Sequence, residues 1–168
     1  MSQAPLAHGT ACPPGGDRPL TAGEVVLVRS VFGDAIDCTG VRIVRRKWFP
    51  LQPVGTLMAP MGHIHCHPRY PLYCADYAAA SLPLQALFLH EMTHVWQTQR
   101  RGRWYLPLMR HPFCRYDYAI RPGWPLVRYG IEQQAEIVRH AFLARAGAPV
   151  VGSPSAETLW SILPFRPA

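Results

Sequence analysis

The sequence predicts a small α+β domain, in which a short mixed sheet packs on one long buried helix and a second helix lies against that helix. Three observations predict it. Around the helical wheel of residues 83–98 stand Leu84, Phe88, Leu89, Met92, Val95 and Trp96, and a helix apolar nearly all round belongs inside a domain. Upstream, residues 41–48, 56–59 and 62–67 alternate or are β-branched, as strands are. Downstream, apolar residues at 131, 135, 138 and 142 recur with a helical period. At 168 residues and 49% apolar content, the chain suffices for one domain with a core of its own.

Taken in order, residues 1–19 hold four prolines and three glycines with little hydrophobic pattern, which predicts a flexible leader ahead of a single domain over 20–168. Thr21-Ala22-Gly23-Glu24 is a capping-box sequence that opens a first helix, with its stop near Gly33. Val41 to Trp48 predicts a strand with a basic outer face, ended by Pro50 and Pro53, and Thr56 to Ala59 a second, shorter one. His63, His65 and His67 alternate, so they would share one face of a third strand. That spacing suits either a second metal site or a polar, half-exposed edge.

Residues 70–81 are a turn-rich passage into the central helix. Ser81 is placed to cap it, and Pro83 falls in the first turn, where its missing N–H costs nothing. Arg100, Arg101 and Arg103 suit its C-terminus. Residues 104–128 carry Trp104, Tyr105, Phe113, Tyr116, Tyr118 and Trp124 among four prolines, an aromatic loop placed to wall a substrate cleft. After the helical segment 129–142, Ser153-Pro154-Ser155 introduces a short helix over 156–163.

The chemistry sits on the central helix. His90-Glu91-Met92-Thr93-His94 spells H-E-x-x-H. Residues four apart on a helix share a face, so both imidazoles can reach one ion while Glu91 stands beside it. A shuffled chain of this composition would show the motif about once in a hundred tries. The alternative is a pair of core histidines bonded to backbone. On the second helix Glu132 and Glu136 are also four apart. Like charges so placed repel, and a cation between the helices would explain them, although a solvated acidic edge would show the same spacing.

H-E-x-x-H followed by a helix bearing Glu132-x-x-Ala135-Glu136 resembles the gluzincin class of zinc metallopeptidases. The resemblance implies a zincin-like fold and one Zn2+ per chain, with His90, His94 and Glu132 as ligands and Glu91 as general base for peptide-bond hydrolysis. It also implies that Glu136, where the class usually has Asp, bonds His90. More narrowly, Arg18 to Thr21, Val31 to Ile36, Gly62 to His65, His90 to Arg101 and Ile131 to His140 are similar to small bacterial Vgr- and Rhs-related proteins, akin to a peptidase core domain of contractile injection systems. By the same resemblance the strand at His63, His65 and His67 would be the free edge that pairs with extended substrate. A donor to the oxyanion is required as well. Tyr129, His111, Tyr118, Tyr116 and Arg115 are candidates among which sequence does not choose.

The net charge of +7 favours acidic partners, yet no RNA- or DNA-binding motif accompanies it, and nucleic acid is disfavoured as a partner. The partners expected are a protein or peptide substrate and a secretion-system protein. Five cysteines at irregular spacing do not form a disulfide framework. The first residues lack a basic region followed by an apolar one, and no run of 18 apolar residues occurs. The expectation is a chain cytoplasmic when made, and a dedicated export machine would leave no such signal. A rival reading of the whole is a zinc-stabilised, weakly active or inactive scaffold that binds a secretion-system protein. A purely structural site needs no Glu91 and usually closes with a fourth protein ligand.

Overall fold

The computed structural model describes residues 12–110 and 114–166. Its secondary structure is a short four-stranded sheet and five α-helices. Strand β1 is Asp17–Pro19, followed by helix α1 at Ala22–Phe32, strands β2 at Arg42–Val44, β3 at Leu57–Met58 and β4 at Ile64–Cys66, and then helices α2 at Leu82–Arg101, α3 at Tyr105–Met109, α4 at Ile131–Arg145 and α5 at Ala156–Ser161. The sheet is mixed, in the order β1-β2-β4-β3. β1 runs antiparallel to β2, β2 parallel to β4, and β4 antiparallel to β3, with Ile43 opposite Ile64 and Leu57 opposite Cys66.

The sheet begins inside the stretch that composition marks as a leader. Asp17, Arg18 and Pro19 pair with Val44, Ile43 and Arg42, and Cys12 is buried. Glu24 is the reason. It completes the expected capping box, accepting from the Thr21 backbone N–H at 2.9 Å while the Thr21 hydroxyl accepts from the Glu24 N–H at 3.0 Å. The same carboxylate takes both terminal nitrogens of Arg18 at 2.8 Å and the Tyr77 N–H at 2.9 Å. Arg18 and Glu24 are both buried, so a local cap doubles as the bolt that ties β1, α1 and the Tyr77 turn together. Residues 12–19 are therefore part of the fold, and residues 1–11 lie outside the described ones.

The second strand is shorter than residues 41–48 predict, because beyond Val44 the chain bends into the proline-bearing turn at 48–53. α2 is the hub. Ala86 and every residue from Phe88 to Thr98 are buried, and its apolar members join Val28, Phe32, Ile43, Ile64 and Ile137 in one core. Ser81 occupies the N-cap position without a side-chain capping bond, and Pro83 stands in the first turn as expected. The helix ends at Gly102, whose φ of 94° suits glycine, and whose N–H bonds Thr98 O at 2.8 Å. α3 interrupts the stretch read as aromatic loop, with Leu106 tucked inside. α4 packs along α2, and α5, ending at Ser161 rather than 163, closes the core through Leu159.

Candidate metal centre

α2 and α4 face each other with their polar residues inward. His90 and His94, one turn apart on α2, point their Nε2 atoms at the same oxygen of α4: Glu132 Oε2 lies 3.4 Å from His90 and 3.2 Å from His94. Both histidines and Glu132 are buried. Among the described residues His90, His94 and Glu132 form the one group of His, Cys, Asp or Glu side chains placed to hold a metal ion, their donor atoms within 4.8 Å of one another. The imidazoles stand nearly perpendicular, with centroids 5.1 Å apart.

The far side of each ring is engaged. His90 Nδ1 lies 2.9 Å from Glu136 Oε1, an ion-pair contact. His94 Nδ1 lies 2.9 Å from Gln97 Oε1. An acceptor at Nδ1 keeps the proton there and leaves the Nε2 lone pair for a metal. Gln97 is itself fixed, donating to Ile131 O and to Gln134 Oε1, both at 3.0 Å. Glu136 extends the network to Arg139 and His140, each at 3.2 Å, and His140 Nδ1 meets the Tyr118 hydroxyl at 2.7 Å.

The electrostatics suit a cation. Burial favours neutral imidazole at His90, but the carboxylates of Glu132 and Glu136 outweigh it and hold its pKa up to about 9. Burial would raise the Glu132 and Glu136 carboxyls. Instead His90, His94 and Arg110 hold Glu132 well below the usual carboxylate range, and His140, His90 and Arg139 do the same for Glu136. Arg110 Nε stands 3.0 Å from Glu132 Oε1. Glu91 is buried beside His90, and its Oε2 has no hydrogen-bond partner among the described residues. An unpaired buried carboxylate oxygen is costly and calls for a partner.

The chain superposes on the effector domain of Pseudomonas aeruginosa VgrG2b with a TM-score of 0.72 and 37% sequence identity, covering 94% of this chain and 89% of that domain. The chain belongs to the VgrG2b effector-domain family. In the curated Pseudomonas aeruginosa type VI secretion system spike protein VgrG2b, 41% identity runs over 135 residues, or 76% of this chain. The chain matches 13% of that spike protein's length. No protein-family model matches. Membership agrees with the Vgr-related resemblance seen in the motifs, and among the described residues no helix is long and apolar enough to cross a membrane.

Other expected site residues fall apart from the cluster. β4 is an inner strand, paired with β2 on one side and β3 on the other, so His63, His65 and His67 do not form a free edge; the edge on that side is β3. Nor do they gather as ligands. His65 Nδ1 faces Arg46 O at 3.3 Å, and His67 Nδ1 accepts from the Arg69 N–H at 3.1 Å. The Tyr129 hydroxyl accepts from the Arg121 N–H at 2.9 Å, the Tyr118 hydroxyl serves His140, and Arg115 pairs with Asp117. His111 lies outside the described residues. Among the described candidates Tyr116 alone stacks on a cluster ring, its centroid 6.4 Å from that of His90. Cys12, Cys38, Cys66 and Cys74 are free thiols. Sequence reasoning passed over Gln97 and Arg110. The spacing from His94 to Gln97 could have flagged the first; nothing local flags the second.

Proposed function

We propose that this domain of the VgrG2b effector family is a zinc-dependent peptidase, delivered by a type VI secretion system. One observation carries the proposal: two Nε2 atoms and one carboxylate oxygen converge while both Nδ1 atoms are held from behind and a buried carboxylate, Glu91, stands alongside. Two imidazoles and a carboxylate are a donor set that zinc takes, and three protein ligands rather than four leave a position open for reaction. When bound, zinc supplies a Lewis acid that brings a water's pKa to near neutrality and polarises the scissile carbonyl.

The protein's own groups do the rest. Glu91 accepts the water's proton and returns it to the leaving amine, for which an otherwise unpaired buried oxygen is suited. Glu136 and Gln97 fix the tautomer and tilt of the imidazoles. Tyr116, half-exposed over His90, is placed to donate to the developing oxyanion. Burial, then Glu132, pushes its pKa up, so it keeps its proton. Extended substrate would add to the open edge of the sheet at β3 rather than at β4.

The test compares wild type with Glu91→Gln on protein extracts from bacterial envelopes and cytosol, reading new termini by mass spectrometry. Fragments made by wild type alone support the reading. Identical fragments from both, with zinc bound in both, would favour a zinc-stabilised scaffold that docks on a secretion-system protein.

A further inference from the structure

We infer that the cavity beside His94 takes one large apolar side chain, of the Phe, Leu or Met class, from the substrate residue next to the bond that is cut; this rests on the peptidase reading above. The cavity measures about 220 Å³ and is walled by Trp48, Phe49, Met58, Ala59, Leu106 and Pro107, with His94 and Arg110 as its polar members. Pockets for drug-sized ligands run to roughly 300–1,000 Å³. This one is the size of a single side chain. Water there finds few partners, whereas an apolar group loses only its contact with water.

Position and construction both point to a built pocket. His94 is at once a metal donor and part of the wall, so a side chain seated against it brings its own backbone to the cluster. Trp48 and Phe49 each keep 39% of their surface exposed, two aromatic faces left open at the mouth. They stand on a braced turn: the Trp48 N–H donates to Gln52 Oε1 at 2.7 Å, and the buried Gln52 amide donates to Thr56 O at 3.1 Å. The His65 ring meets the Trp48 ring edge-on, with centroids 5.4 Å apart. The alternating histidine strand thus contributes a buttress for the pocket wall. The charge of Arg110 is already met by Glu132, so the described residues lining the cavity offer no free counter-charge for an acidic or basic side chain.

Two measurements on the zinc-loaded full chain test this. The first maps cleavage of a degenerate peptide mixture by mass spectrometry. The second measures binding of phenylalanine hydroxamate against glycine hydroxamate by calorimetry, a readout that needs no turnover. The expected result is a large apolar residue at one position flanking the cut, and at least about 10-fold tighter binding of the phenylalanine probe. Ala59→Phe, which fills the cavity, should shift cleavage toward glycine and alanine and erase the difference between probes. Trp48→Ala, which removes one aromatic face at the mouth, should weaken both preferences if Ala59→Phe does not fold. Cleavage without an apolar preference, or a preference that neither variant moves, overturns the pocket and leaves the peptidase. Absence of cleavage with the probe preference intact keeps the pocket as a ligand site and sinks the peptidase reading. Failure of both measurements sinks both.

Discussion

At the scale of single residues, the arrangement separates groups that would hold an ion from groups that would only aim them. Elemental analysis should find roughly one equivalent of zinc per chain in wild type; His90→Ala, His94→Ala and Glu132→Ala should each abolish it, and Glu91→Gln should keep it. Full occupancy in Glu132→Ala would remove Glu132 from the ligand set. Glu136→Ala and Gln97→Ala should each weaken zinc by about 10- to 100-fold without abolishing binding. A chelator competition titration checks this, and an unchanged affinity in Glu136→Ala would confine that carboxylate to its contacts with Arg139 and His140. The His90 and His94 pair was legible in the sequence because its geometry is local: a helix fixes which residues four apart share a face. Gln97 and Arg110 were not: Gln97 sits one turn past His94 but belongs to no motif, Arg110 meets Glu132 only through the fold, and a lone polar residue carries no period to announce it.

Among elements, the bolt between β1 and α1 decides where the domain begins. Arg18 and Glu24 have side chains 7% and 0% exposed, so Arg18→Ala strands a buried carboxylate. The expected loss is about 3 kcal/mol, seen as a lower urea midpoint; an unchanged midpoint would show that the Thr21 and Tyr77 N–H groups satisfy Glu24 alone. Here the sequence showed half of the truth. Thr21-x-x-Glu24 reads as a helix start, which it is, but the partner that orders residues 17–19 sits in a stretch whose composition argues for disorder. Strand pairing was hidden in the same way. Three short β-like segments were visible, yet their order depends on β1, which composition concealed, and on contacts between segments that no alternation encodes. The inner place of β4 follows from that order, and it moved the free edge from the histidines to Leu57 and Met58.

For the molecule as a whole, an ion bound at this site would couple to folding. With zinc at a thousand times its dissociation constant, linkage would contribute about 4 kcal/mol, which for a chain of this size corresponds to a rise in Tm of about 8–16 °C. Calorimetry with and without added zinc should show the rise in wild type and none in His94→Ala. The two helices that would share the ion also delimit a span of chain, because His94 and Glu132 are 38 positions apart. An ion shared between them is a cross-link across that span, comparable in chain-entropy terms to a disulfide closing a loop of that length, or about 4 kcal/mol of lost disorder in the unfolded chain. Inside the span ride Leu106, Pro107, Arg110 and Tyr116, which supply one wall of the cavity and the stacked phenol. Chelation should therefore loosen the cleft before it melts the sheet, and trypsin in the presence of a chelator should cut first at Arg103, Arg115 or Arg128. Cleavage at the same sites and rates with zinc present would show that the span is held by its own packing, and that the ion clasps nothing.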